Sequence, residues 1–245
     1  DFRRNVADFL KNLSDRSSRA QLVIAGVAAN LTEIIAEIPS IQRNILAVEM
    51  RKMDPEELRE LVSHGEQACG LVFDPKAVEL IVAAADGFPY LASLLAQHAG
   101  LTALQDRRLV VRGGDVSDAI AEALSELKGR MSRRAQASVA SLARDGAHKV
   151  LGRLAALVKL SNGTFSETDI DSVQPTPEAA ARCRTVLEML AADGKLVERF
   201  EDEFGRQYRF VESAVPQYLW LMMMQSRYNE GETPPTNVGG VRARS

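Results

Sequence analysis

The chain has 245 residues, 46% hydrophobic and 26% charged, the make-up of an ordinary globular protein with room for one or two domains around a sizeable core. A net charge of −3 argues against a protein that coats nucleic acid, which needs clustered excess Lys and Arg, so any basic surface must be local. Cys69 and Cys183 stand apart from each other and from any histidine cluster; neither a zinc site nor a disulfide framework is suggested, and a reducing cytoplasm fits best.

No apolar run approaches the roughly 20 residues of a membrane span, and Asp1-Phe2-Arg3-Arg4 does not start a signal peptide, so no membrane partner is expected. With no Met at its start, the chain reads as a fragment or processed product.

Phe2 to Leu13 has Phe2, Val6, Phe9, Leu10 and Leu13 on one helical face. Gln21 to Val27 is a continuous apolar run, the pattern of a strand buried on both faces of a parallel sheet. Leu31 to Ile38 is a short helical stretch stopped by Pro39, and Ile45 to Met50 is short, apolar and partly β-branched, a second strand of the same sheet. Helix, strand, helix, strand is an α/β rhythm, so residues 1–53 read as the end of an α/β layer.

From Asp54 the pattern turns helical. Asp54-Pro55-Glu56-Glu57 and Asp74-Pro75 each place an N-cap acid before a proline at the first helical position. Gly87-Phe88-Pro89-Tyr90 starts the next helix, and Asp115 to Asp118 caps one over Ala119 to Leu127, which makes 54–128 a helical domain. Lys128 to Arg144, with Arg130, Arg133 and Arg134, reads as a basic connector helix centred on 129–146.

Val150 to Leu160 is then an apolar helix, Ser166-Glu167-Thr168-Asp169 caps a short one, and Thr176-Pro177-Glu178 opens a third that Gly194 ends. Lys195 to Phe200 and Arg206 to Val211 alternate about Glu201 to Gly205 as a hairpin. Three helices and a terminal hairpin make 147–228 a winged helix, closed by a helix from Ser213 to Tyr228. Residues 229–245 are polar, rich in Gly and Pro, and expected to be disordered. The fold class is therefore mainly α with a small α/β remnant.

In this order the pieces resemble the carboxy-terminal portion of an AAA+/STAND-type, Orc/Cdc6-like P-loop ATPase: the end of the ATPase α/β core, a helical lid bundle, then a winged helix. The resemblance implies a sensor-1 role for Asn30, behind the Gln21–Val27 strand, and an arginine-finger role for Arg43 in Ser40-Ile41-Gln42-Arg43-Asn44. A guanidinium suits that role because its fork matches charge spread over phosphate oxygens. Gly87-Phe88-Pro89 looks like the GxP motif of STAND ATPases, which implies nucleotide contact for Gly87, Pro89 and Tyr90. ATP and Mg²⁺ are the implied cofactors of the intact protein, and its implied activity is that of a nucleotide-dependent switch acting on a protein or DNA partner. Two departures qualify this: no GxxxxGK[ST] phosphate loop occurs in the chain, and no strand ends in paired acids for magnesium. Where classical AAA+ proteins carry a sensor-2 arginine, Tyr90, Ser93 and Gln97 stand instead.

Each sharp reading has a plain counterpart. Asn30 with Glu33 also makes a helix N-cap, Arg43 is also a loop arginine, and Gly87 to Pro89 is also a helix-to-helix turn. His64, His98 and His148 lack partners and take no role, and no metal site is expected. Both cysteines, and the Met222 to Met224 run beside Trp220, read as core. The alternative function is a non-enzymatic winged-helix DNA-binding regulator. For it the nucleic-acid candidates are Arg130, Arg133, Arg134, Arg182 and Arg184, but Glu201, Asp202 and Glu203 put like charge where phosphates would lie. A protein partner or self-association is favoured over DNA.

Overall fold

The computed structural model describes Phe9 and residues 51–230, apart from 145–146, 159–163, 175, 194–195 and 203–204. The chain divides into two compact units, Asp1–Arg51 and Lys52–Ser245, and the second is the one described below. The expected strands before residue 51 and the tail beyond residue 230 lie outside the described residues. Among those residues there are nine helices and two small sheets, a mainly α class as the sequence implies.

The first layer is a helical bundle. Helix α1 (Pro55–Cys69) starts as its sequence dictates: the Asp54 carboxylate accepts from the amides of Glu56 at 3.0 Å and Glu57 at 2.9 Å, while Glu57 accepts from the Asp54 amide at 2.8 Å. Helix α2 (Pro75–Ala85) repeats the device, Asp74 accepting from the Ala77 amide at 2.6 Å. Between them lies β1 (Val72–Phe73). After α3 (Pro89–Gln105) comes β2 (Val110–Val111), which pairs with β1 in parallel. These two-residue strands are too short to show a period, so the sequence gives no sign of them.

Helix α4 (Gly113–Gly129) begins earlier than expected, with Arg112 as N-cap. The reason is that Asp115 is not the cap but the third helical residue. It is buried, and its carboxylate reaches back to accept from the Arg112 amide at 2.7 Å and from the Arg108 guanidinium at 2.7 and 2.9 Å. Ile81, Leu91, Leu95, Ala119, Ala123 and Leu127 form the dry centre of this bundle.

The connector helix expected over Lys128 to Arg144 starts later than expected, since Lys128 and Gly129 end α4. α4 stops at Gly129, and α5 (Arg133–Arg144) starts afresh behind Ser132, whose hydroxyl accepts from the Ala135 amide at 3.2 Å and whose own amide donates to Glu212 at 2.9 Å. Ala135, Val139 and Leu142 bury one stripe of α5, so only its other side is solvated.

The second layer runs α6 (His148–Val158), β3 (Thr164–Ser166), α7 (Glu167–Val173), α8 (Pro177–Asp193), β4 (Val197–Asp202) and β5 (Gly205–Phe210). The expected hairpin gains a third strand: the antiparallel order is β3-β5-β4, with Phe165 and Arg199 both opposite Tyr208. Phe165 stacks on Tyr208 with ring centroids 5.6 Å apart and lies 5.8 Å from Phe210. Ser166 ends β3 and caps α7 through Asp169 as its sequence foretells. Cys183 on α8 is buried as expected, its thiol pushed up to about 12 by loss of solvent. Cys69 is exposed, against expectation, because the last turn of α1 faces water from Gln67 onward.

Helix α9 (Ala214–Asn229) returns from β5 and packs against both α6 and α4. Val215, Leu219, Trp220, Met223 and Met224 are buried, so the methionine run is core as expected. α9 meets α6 at Gly152, where an added Cβ would stand 2.7 Å from Met223 Cβ and 2.9 Å from the Leu219 carbonyl. Only glycine admits that approach. On the bundle side, the Trp220 indole donates to the Ala84 carbonyl of α2 at 2.8 Å.

Two stability predictions follow from buried polar contacts. Trp220→Phe leaves the Ala84 carbonyl without this donor and opens a void, and should cost about 2–4 kcal/mol in urea unfolding followed by circular dichroism. The Arg108 guanidinium, then the Arg112 amide, hold the Asp115 carboxyl below the usual carboxylate range. A folded pKa below the unfolded one stabilises above the ordinary range and loses that contribution as pH falls through the folded value. Asp115→Asn should therefore cost about 1–3 kcal/mol at pH 7, with the two proteins converging as pH falls through the lowered folded value.

Candidate functional site

The sequence points to the turn between α2 and α3, and its geometry follows from two left-handed residues in succession. Asp86 has φ 48° and Gly87 φ 83°. Asp86 is a short polar residue that tolerates this region, and its amide donates to the Val82 carbonyl at 3.2 Å, while Gly87 carries no Cβ to object. A Cβ on Gly87 would stand 2.8 Å from Lys52 Cβ and 2.9 Å from the Met53 carbonyl, so the turn is closed against the first residues of the unit. Phe88 then accepts from the Ala92 amide as α3 begins, but supplies no capping side chain. Pro89 and Tyr90 are exposed and Phe88 is half-buried, leaving an apolar lip at the start of a 17-residue helix.

Tyr90 does not stand alone there. Its hydroxyl donates to Glu126 on α4 at 3.0 Å, Arg130 lies 4.8 Å over its ring, and Arg130 also pairs with Glu126 at 2.6 Å. His98 of α3 places Nε2 3.7 Å from the other Glu126 oxygen. Burial, then the Glu126 carboxylate, push the Tyr90 hydroxyl up; the Tyr90 hydroxyl itself is the main group holding Glu126 down. The structure thus brings together Tyr90, expected at a nucleotide, and Arg130, expected at nucleic acid, through an acid on α4 that the sequence did not single out. Only spacing along an assumed helix face could have suggested Glu126 and Arg130 as an i, i+4 pair.

The other basic residues are separated. Arg133 and Arg134 are exposed in the first turn of α5. Arg182 and Arg184 lie on α8, where Arg184 pairs with Asp171 of α7. Around it the same layer matches its cations to acids: Arg199 to Glu188 at 2.7 Å, Arg206 to Glu167 at 2.9 Å, and Arg209 to Glu198 at 2.7 Å. Tyr208 donates to Glu188 at 2.8 Å, and burial with that contact pushes its hydroxyl up to about 12. A surface depression of about 350 Å³ beside this network is lined by Ser166, Glu167, Thr168, Glu201 and Arg206 and holds more acid than base. Asn30 and Arg43 lie outside the described residues. Among the described residues no group of three or more His, Cys, Asp or Glu is placed to hold a metal ion, and no helix is long and apolar enough to cross a membrane.

The second and third helices of the bundle meet at Gly87-Phe88-Pro89. The family model described as nSTAND1, novel STAND NTPase 1, matches residues 2–208, and the chain belongs to that family. The match ends within β5, so α9 lies beyond it. No curated protein and no solved structure matches the chain.

The turn makes a direct prediction. Gly87→Ala combines a strained φ with a backbone clash and should cost about 2–4 kcal/mol. Gly70→Ala is the control: φ is 73° there too, but nothing lies within 4 Å, so the loss should stay near 1 kcal/mol in the same denaturant titration.

Proposed function

We propose that this chain is the carboxy-terminal part of a STAND-type ATPase that acts as a nucleotide-dependent switch, its bundle (the lid) and its second layer (a winged helix) relaying nucleotide state to a partner. The observation that carries the reading is the position of the Gly87–Pro89 turn: an exposed proline at the start of α3 lies four residues past Ala85, the last residue of α2, while α2 is gripped at Ala84 by Trp220. Family membership supports nucleotide chemistry. The order helix, strand, helix, helix, strand, strand in residues 148–210 supports the winged-helix reading.

The residues suit a nucleotide at this turn. The apolar lip of Phe88 and Pro89 offers a base a flat surface, and the Gly87 carbonyl is already held by the Met53 amide at 2.9 Å, so the turn is formed in advance. ATP with Mg²⁺ supplies the phosphoanhydride bond. The chain binds the base at Pro89, senses the terminal phosphate at Asn30 and contributes charge from Arg43, with the phosphate loop coming from outside these 245 residues. A ligand preferring one position of the turn then shifts the populations of the states it couples to. The partner is a protein or a second copy of the chain, in a cytoplasmic setting. Direct DNA reading is disfavoured because Arg184 of α8 and the sheet arginines already meet acids.

The test uses the full protein. Arg43→Ala should lower ATP turnover about 100-fold or more with ATP affinity nearly unchanged, and Pro89→Ala should weaken ATP and ADP binding several-fold with turnover at saturation retained. An unchanged turnover in Arg43→Ala removes that residue from the mechanism, and absence of ATP and ADP binding by the parent protein removes the reading.

A further inference from the structure

The Gly87 turn has a second set of contacts that nucleotide binding does not require. Lys52, the first residue of the second unit, places its ammonium 2.9 Å from the Asp86 carboxylate, and the two side chains are only 19% and 22% exposed. The same ammonium lies 5.4 Å from the centroid of the Phe88 ring. Met53 donates its amide to the Gly87 carbonyl, and the Lys52 stem packs on the face of Gly87 where a side chain would otherwise stand. Residues 52–53 are therefore bound to residues 86–88 by an ion pair, a cation–π contact, a backbone hydrogen bond and close packing at once. The Coulomb term is the specific one, because a pair four-fifths withdrawn from water is weakly screened and neither partner can be replaced by solvent without loss. Asp86 suits the place twice over: its backbone accepts the left-handed conformation that ends α2, and that conformation is what presents its carboxylate beside the entering chain.

We infer that Lys52 and Asp86 form a latch that holds the start of the second unit on the Gly87–Pro89 turn, making Lys52 a positioning residue for whatever that turn binds. Its connection to nucleotide rests on the function proposed above; the latch itself rests on the contacts alone. A ligand seated at Pro89 bears on the same three residues that grip Lys52, so occupancy and latch strength are coupled in both directions. Arg51 is exposed immediately before the latch, and an opened latch frees the backbone that a protease must draw into extended form.

The experiment is limited tryptic digestion of the full protein, scored by mass at the Arg51–Lys52 bond. Lys52→Met keeps the stem and removes the charge; Asp86→Asn keeps the left-handed tolerance and removes the charge. Each single change should speed cleavage about tenfold, the double variant should be no faster than either single one, and Lys52→Arg should restore the slow rate, all with an unchanged melting temperature. Cleavage at parental rate in both single variants overturns the latch. Additive acceleration with a fall in melting temperature overturns it as well, since that is the signature of general loosening. Mg-ADP should slow cleavage of the parent protein and leave Lys52→Met unprotected. If the variants differ as expected but Mg-ADP changes nothing in the parent, the latch stands and the nucleotide reading of the turn fails.

Discussion

One hydrogen bond, from the Trp220 indole to the Ala84 carbonyl, gives the described unit its continuity. The last carbonyls of any α-helix lack intrahelical donors. In α2 the left-handed pair Asp86-Gly87 sharpens the exit so far that Phe88, whose amide a continuing helix would give to Ala84, donates to Ala85 at 3.0 Å instead. A buried carbonyl is left at the base of the turn, and the one tryptophan of the chain reaches it from 136 residues away. Because α9 also lies against Gly152 of α6, the helix that satisfies the bundle is the helix that seats the second layer. The turn that ends α2 and the packing of the carboxy-terminal helix are consequences of the same local backbone geometry.

Much of this was legible in the sequence where a local rule and the tertiary structure agree. Asp54-Pro55, Asp74-Pro75 and Ser166 with Asp169 announce helix starts that the structure reproduces, because a cap is satisfied by residues three apart and needs no distant partner. The alternation about Gly205 announces β4 and β5 for the same reason. What the sequence hid is what depends on distant chain: β3, a three-residue strand that exists only because β5 offers it an edge, and the β1–β2 pair, whose partners stand 38 positions apart in the sequence. The boundary between α4 and α5 was legible only to within a few residues, because its place is fixed by Glu212, far along the chain, accepting from the Ser132 amide.

The candidate site was partly legible in the same sense. Gly87 and Pro89 carry their own explanation in the backbone they require. Tyr90 and Arg130 were each visible, but assigned to different tasks, and only the tertiary contact through Glu126 puts them in one cluster. Lys52 had no signal at all: a lysine before a methionine is unremarkable until the chain folds it over Gly87. Charge pairing explains why a net-acidic chain with many arginines offers little cationic surface in its second layer, where Glu167, Asp171, Glu188 and Glu198 each meet one. Such pairs stabilise little individually, but they set the local field that an approaching polyanion meets.

In the proposed switch, the state of the Gly87–Pro89 turn reaches α9 through Ala84. The direct measurement is the emission of Trp220 in the full protein, taken as the difference between the parent and Trp220→Phe, during titration with Mg-ADP and Mg-ATP. The expected result is a saturable change that follows nucleotide binding and differs between the two nucleotides. Binding detected by calorimetry with no change in Trp220 emission would contradict this coupling, because the indole would then be blind to the turn whose left-handed pair begins two residues after the carbonyl it holds.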